Sequence, residues 1–307
     1  MKVEEIISLM RVKPYLIRMG KGKLSKRLHC SPRDIEIARR KISQPYFVEK
    51  KLPKILIFDV ETAPMKAYVW NRWNQNISLD ATISEWFMIA WSAKWLFSDE
   101  TMGDVLTPFE AKNEDDSRIV QTLWQLIDRA DIIVAHNGKR ADVPWINTRF
   151  IVNGLNPPSP YHLIDTCEIA KKQFGFSSNK LDALAGYFGI PHKYKTDFQL
   201  WKDCLDGVQE SLQYMLEYNK KDTEILEEVY LKLRPWIKNH PNCGNLISSE
   251  VPICCACGSE HLELIPDKYY YTSIGKYQLF RCTECGAITR GRLNLNLGKN
   301  KVTNVGR

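Results

Sequence analysis

The chain has 307 residues, 26% of them charged and 44% hydrophobic, with a net charge of +7. These values exclude a disordered or fibrous chain and leave room for one sizeable core plus smaller modules. No apolar run approaches the roughly 18 residues of a membrane span, and MKVEEIISLMRVKPYL puts acidic residues where a signal peptide needs an apolar stretch, so the expectation is a cytoplasmic protein with no membrane partner.

The charge is unevenly spread. Residues 1–54 carry 15 basic and 5 acidic groups, residues 55–236 carry 19 and 26, and residues 237–307 carry 9 and 5. Basic ends around an acidic middle suit a protein that grips a polyanion at its ends and holds divalent cations in its centre. Ordinary surface charge is the alternative.

The first segment, residues 1–45, reads as basic and helical. In GKLSKRLHCSPRDIEIARRKI, Leu24 and Leu28 share a helical face, His29 and Cys30 break it, and Ser31 caps a second helix with Pro32 at its first position. Ile35, Ala38 and Ile42 recur at helical spacing and leave Arg33, Glu36, Arg39 and Arg40 toward solvent. This is a helix-turn-helix layout whose second helix would offer Arg33 and Arg40 to a DNA groove. A basic bundle that only docks on the main domain is the alternative.

After the proline-bounded linker SQPYFVEKKLPK, a central domain over residues 54–236 alternates strand and helix patterns. KILIFDVETAP opens it with a run, Ile55 to Phe58, that reads as a strand covered on both faces. The run ends in Asp59 and Glu61, which point to one face a little under 7 Å apart along the chain, at roughly 3.3 Å per residue. Such a pair calls for a cation. Next come YVWNRWN, whose Trp70 and Trp73 beside Arg72 could stack unpaired bases or pack locally, and strands near Trp86–Phe97 and Thr101–Leu106. A helix over about Asp116–Arg129 leads to the strand DIIVAHN, with Asp142 at the next helix start. HLIDT and further helices follow. In EYNKKDTEILEEVY, Tyr218 and Asp222 are four residues apart and share a helical face. Lys220 and Lys221 beside them are solvated or touch a nucleic-acid backbone, while His136, His162 and His192 have no ligand spacing and read as structural.

The last quarter holds two CxxCG knuckles, Cys254–Cys257–Gly258 and Cys282–Cys285–Gly286, around a hairpin insert centred on Gly275. Four thiolates at this spacing point to one structural Zn²⁺ in a ribbon over residues 251–292, followed by a tail, 293–307. Cys255 is a ligand only if its loop is distorted. Cys30, Cys167, Cys204 and Cys243 read as ordinary thiols.

The order DVE, then HN with an Asp five residues after the Asn, then YxxxD resembles the tyrosine branch of the DEDD exonuclease superfamily over roughly residues 54–232. KLDALAGYFGI is similar to that family's helix before the third motif. Ala141 departs from the family, whose members often carry a bulky aromatic there. The variant that this chain resembles is often bacteriophage-encoded, with a helix-turn-helix and a zinc ribbon flanking the nuclease. The resemblance implies an α/β fold, a ribonuclease-H-like mixed sheet flanked by helices, between a small N-terminal helical domain and a C-terminal β ribbon. It implies a 3′ to 5′ exonuclease acting on DNA, single-stranded ends foremost, in which Asp59, Glu61, Asp142 and Asp222 hold two Mg²⁺ or Mn²⁺ and Tyr218 orients the attacking water. A ribonuclease or structure-selective nuclease, or an inactive nucleic-acid-binding protein, are the alternatives.

Overall fold

The computed structural model describes residues 2–13, 15–43, 52–191, 196–247, 249 and 251–296, without the side chains of residues 11, 12, 17, 18 and 40–43. The Arg40 and Ile42 side chains, most of the linker, His192 and most of the tail therefore lie outside the described residues. The chain divides into two compact units, residues 1–51 and 52–307.

The first unit contains α1 (Val3–Val12), α2 (Tyr15–Arg18), α3 (Lys21–Leu28) and α4 (Pro32–Ser43). Ile6, Met10, Leu16, Leu24, Leu28, Ile35 and Ala38 form its core, so the apolar spacing of α3 and α4 faces inward as expected. His29 takes a left-handed conformation, φ 49°, to end α3. Ser31 Oγ accepts the Asp34 N–H at 3.0 Å and the Asp34 carboxylate accepts the Ser31 N–H at 3.2 Å, a reciprocal cap that starts α4. Arg33 is exposed. Arg39 is the exception to the expected polar face: it is half-buried, and its guanidinium donates to the Met19 carbonyl, tying α4 to the α2–α3 connection.

The second unit begins with β1 (Ile55–Thr62), β2 (Lys66–Ala67), β3 (Thr82–Ser84), β4 (Met88–Trp95) and β5 (Met102–Val105). It continues through α5 (Pro108–Lys112), α6 (Ser117–Ile127), β6 (Ile132–Ala135), α7 (Asp142–Val152), β7 (His162–Asp165), α8 (Thr166–Gln173), α9 (Leu181–Phe188), α10 (Phe198–Leu205) and α11 (Gln209–Leu233). The five-stranded sheet has the order β5-β4-β1-β6-β7. β1 is antiparallel to β4 and parallel to β6, so the meander lies on one side and the crossover strands on the other.

As the central strand, β1 is covered twice. Leu56, Phe58 and Val60 join the core that includes Ile119 and Leu123 of α6 and Ile146 and Phe150 of α7. Ile55 and Ile57 join the opposite core with Val134 and Ile164, under Leu226 and Tyr230 of α11. Burying each such side chain contributes about 1.5–3 kcal/mol, enough for the run from Ile55 to Phe58 to anchor a strand whose end is charged. A second sheet, in the order β10-β9-β8, is made of β8 (Leu262–Tyr271), β9 (Lys276–Cys282) and β10 (Ile288–Arg290). Its β8–β9 turn passes through Gly275, where a Cβ would lie 2.5 Å from the Tyr277 ring. Among the described residues no helix is long and apolar enough to cross a membrane.

Candidate active site

The two-residue period of β1 places Asp59 and Glu61 on the Ile55–Ile57 face, where α11 lies. Leu226 and Tyr230 of α11 cover the isoleucines, and one helical turn earlier Asp222 arrives over the carboxylates. Ligand oxygens of Asp59, Glu61 and Asp222 all lie within 4.8 Å of one another. At that spacing each pair of charges repels by on the order of 3–4 kcal/mol at an effective dielectric of about 20. A divalent cation offsets such repulsion.

Side chains that sequence reasoning missed hold this face in place. Asn219 Nδ2 donates to Asp59 Oδ2 at 2.6 Å. Ser92 of β4 donates to the Asn219 carbonyl at 2.8 Å and lies 2.6 Å from the Thr223 hydroxyl, so a buried polar seam pins α11 to β4 beside Asp222. An asparagine within a 25-residue helix is a poor helix former, and that was its one local signal. Tyr218, one turn before Asp222, is buried. Lys221 pairs with Glu224 at 3.1 Å, and the Lys220 stem packs near Gly103 of β5.

Asp142 is outside the three-carboxylate cluster but next to it. β6 pairs with β1 only from Ile55 to Ile57, so β1 outruns its neighbour. The Val60 amide, between Asp59 and Glu61 in the chain, is met by the Asp142 carboxylate instead. Burial pushes that carboxyl up from 3.8 to about 7, with the nearby Asp165 charge adding to the effect and the Asp142 and Val60 amides opposing it. The turn that delivers Asp142 is tightly specified. Asn137 takes φ 65°, and a Cβ on Gly138 would fall 2.4 Å from that of Ala135. Asp165 was also missed by sequence reasoning. It accepts the Asn137 and Lys139 amides at 3.0 and 3.1 Å and caps α8 through the Glu168 amide at 3.0 Å. Its signal was the cap itself, an Asp before a helical run.

Hard carboxylate oxygens from β1, α11 and the adjacent α7 start make a donor set suited to Mg²⁺ or Mn²⁺ rather than to a thiophilic metal. The ribbon offers the opposite chemistry. Cys254, Cys257, Cys282 and Cys285 converge, with Sγ–Sγ separations of 3.6 Å for Cys254–Cys285 and 3.6 Å for Cys257–Cys282. A tetrahedron with Zn–S near 2.3 Å requires about 3.8 Å, so the four sulfurs fit zinc. Gly258 and Gly286 take φ 76° and 79°, the left-handed turns that the two knuckles need. Donation from Cys255, Cys257 and Cys285 pulls the Cys254 thiol far below the ordinary thiol range, and the Ala256 amide donates to its sulfur at 3.4 Å. Cys255 is not one of the four converging cysteines, while Cys243 is buried beside the first knuckle, its thiol 3.4 Å from the Ala256 carbonyl.

Other predicted residues lie elsewhere. Trp70 is 99% exposed, Trp73 83% and Tyr68 77%, which removes local packing as the explanation of that cluster. Arg72 beside them is exposed as well. His136 bridges the Thr166 hydroxyl and the Asn179 carbonyl at 2.8 and 2.9 Å, a structural role, whereas His162 is exposed.

Comparison with known proteins adds three findings. No curated protein matches the chain. Among solved structures, the family B DNA polymerase from the hyperthermophilic archaeon Pyrobaculum calidifontis is similar, with 17% identity and a TM-score of 0.46 over 61% of this chain and 25% of that one, so this chain spans only about a quarter of the polymerase. Residues 86–234 match the model of the RNase_H superfamily, a stretch that takes in Asp142, Tyr218 and Asp222 and begins past Asp59 and Glu61. With a mixed five-stranded sheet and its flanking helices, the central region has a ribonuclease-H-like fold.

Proposed function

We propose that this chain is a metal-dependent 3′ to 5′ exonuclease of the DEDD tyrosine branch, hydrolysing DNA from single-stranded ends by a two-metal mechanism. The observation that carries this reading is the convergence of Asp59, Glu61 and Asp222 within 4.8 Å, with Tyr218 one helical turn from Asp222. Asp59, Glu61, Asp142 and Asp222 would hold Mg²⁺ or Mn²⁺. Bound there, the ions would supply a water of lowered pKa and positive charge for the leaving 3′ oxygen. Asn219 keeps Asp59 oriented, the polar seam through Ser92 keeps Asp222 at its level, and Tyr218 would orient the attacking water.

The flanking modules, residues 1–45 and 251–292, would retain the nucleic acid around a hydrolytic domain over residues 54–236, with Zn²⁺ shaping the ribbon and residues 293–307 as a tail. Arg33 and Arg40 of α4, and Trp70 with Arg72, would contact the strand. In this reading the protein is of the type that bacteriophages encode, and it works in the host cytoplasm.

The test is digestion of single- and double-stranded DNA and RNA, labelled at either end, with Mg²⁺ or Mn²⁺. A 5′ label should move stepwise to shorter products and a 3′ label should leave as a mononucleotide, fastest on single-stranded DNA. Internal cuts, or no cutting with either ion, would remove the exonuclease reading.

A further inference from the structure

At the end of the sheet away from the carboxylates lies a cavity of about 420 Å³, lined by Leu52, Lys54, Trp95, Phe97, Arg129 and Arg234 among others. Small-ligand sites run from about 300 to 1,000 Å³, so it has room for one. Ile55, where β1 begins, also lines it. Glu61 is six steps along the strand from Ile55, or about 20 Å at ~3.3 Å each. Arg234 is twelve steps along the helical run from Asp222, or about 18 Å at ~1.5 Å each. The cavity is thus apart from the carboxylates, although Cys257 of the cysteine tetrad reaches its wall.

Its chemistry is that of an anion site. Lys54, Arg129 and Arg234 contribute positive charge, no carboxylate is among the lining residues, and the one acidic group on the wall is the Cys257 thiol of the ribbon. Arg234 is 8% exposed, and its Nε is buried with no hydrogen-bond partner among the described residues. Its guanidinium touches the Tyr230 hydroxyl and lies over the rings of Phe97 and Tyr230 at 5.8 and 5.9 Å. Glu227, one of the acids on the same side of α11, is already engaged by Lys94 at 2.5 Å and by the Phe97 amide at 2.8 Å. The thiols of Cys243 and Cys257 lie near this guanidinium, but its Nε still lacks a hydrogen-bond acceptor among the described residues, so the cavity leaves a donor that an acceptor from outside can meet.

The walls add a second preference. Arg129 lies over the Trp95 ring at 5.9 Å, and Phe97 is 69% exposed. Phe97 takes φ 66°, an unusual conformation for a bulky side chain, and holds its ring at the cavity in that state. Guanidinium groups recognise phosphate oxygens, and an exposed ring such as that of Phe97 can stack on a nucleobase, with Trp95, packed in part against the core, beside it.

We propose that this cavity binds a nucleoside monophosphate unit, with the phosphate on Arg129 and Arg234 and the base against Trp95 and Phe97. Preference for a nucleotide over other flat anions rests on the hydrolytic reading above, whereas the anion site itself rests on the cavity alone. The unit can be a free mononucleotide or one residue of a bound strand.

The experiment titrates the full chain in EDTA, where no hydrolysis occurs, with thymidine 5′-monophosphate, thymidine, inorganic phosphate and oligothymidylate, following tryptophan fluorescence and heat. The monophosphate should bind about tenfold or more tightly than thymidine or phosphate alone, since each of those keeps half of the contacts. Because Arg234 is buried and its replacement can disturb the fold, the exposed Arg129 is the first variant. Arg129→Ala should weaken binding about tenfold, Arg129→Lys less, and Asp59→Ala not at all. Oligothymidylate competing more tightly than the monophosphate identifies a strand as the source. Monophosphate binding without such competition identifies the free nucleotide. No monophosphate binding in EDTA, or affinity unchanged in both Arg129→Ala and Phe97→Ala, overturns the proposal whether or not the protein proves to be a nuclease.

Discussion

The carboxylate cluster and the cysteine cluster are both metal-ligand sets, and they are assembled in opposite ways. Cys254 and Cys257, and Cys282 and Cys285, come in local pairs, each on its own tight turn, and a hairpin brings the pairs together. Asp59 and Asp222 are joined only because α11 crosses β1, and two cores have to form before they meet. The ribbon's buried cluster consists of Cys254, Ala256, Cys282 and Ala287, too little apolar surface to fold on its own. The central sheet has its core regardless of what its carboxylates bind. So a metal would be structural in one region and supplementary to the fold in the other.

The strongest way to break that contrast is to remove a thiolate. Structural zinc contributes about 10–16 kcal/mol of apparent binding energy in small zinc modules, all of it available for folding. Elemental analysis should find one zinc per chain in the parent and none in Cys282→Ser, whose residues 251–292 should open to protease. Full zinc content with an intact ribbon would mean that the cluster is not what holds it.

The second test moves to the carboxylates. Losing a partner that merely orients a ligand costs about 10–100-fold, so losing the ligand itself should cost about a hundredfold or more. Asp59→Ala, Glu61→Ala and Asp222→Ala should each lower hydrolysis to that extent; Glu61→Ala and Asp222→Ala should leave the melting temperature unchanged or higher, because like-charge repulsion is relieved, whereas in Asp59→Ala that gain is offset by the buried Asn219 amide left without its acceptor. A variant that melts much lower would show that its carboxylate serves the fold, and one that keeps full activity would leave the site.

The same contrast explains what could be read from the sequence. The knuckles were legible because spacing and glycine turns are local properties, and φ 76° at Gly258 and 79° at Gly286 follow from them. β1 was legible because a continuous apolar run signals a strand covered twice, and the Tyr218–Asp222 pair because helical period is local. The roles of Asp165, Asn219 and Ser92 were not legible, beyond the cap position of the first and the poor helix propensity of the second. Their partners lie far away in the chain: Asn137 for Asp165, Asp59 for Asn219, and α11 for Ser92. Pattern reasoning has no term for such a contact. Arg39 failed for the same reason, since helical spacing assigned it to solvent while the fold offered it the Met19 carbonyl. Exposure of Trp70 was undecided because an aromatic cluster looks the same in a core and on a loop.

The third test sharpens the comparison within the carboxylate region itself. Asp142 is buried against the Val60 amide, and its carboxyl is pushed up to about 7 from an unfolded value near 3.8. Below 3.8 both states hold the proton and the residue is neutral in its effect. Between 3.8 and 7 the unfolded chain releases the proton while the folded chain keeps it, so stability falls steadily with rising pH; above 7 the loss is complete. Asp142→Asn retains an acceptor for the Val60 amide and cannot ionise. In EDTA it should therefore melt several degrees above the parent at pH 8, by about 2–4 °C per kcal/mol recovered in a domain of this size, with a smaller gain at pH 5. Mg²⁺ should raise the parent at pH 8 more than it raises the variant, because a cation held by Asp59, Glu61 and Asp222 stabilises both but only in the parent also stabilises the Asp142 charge that burial disfavours. Calorimetry at the two pH values, with and without the ion, separates the alternatives. Equal gains at pH 5 and pH 8 would mean that packing rather than charge controls this carboxyl, and a variant that responds to Mg²⁺ as fully as the parent would place Asp142 outside the ion's reach.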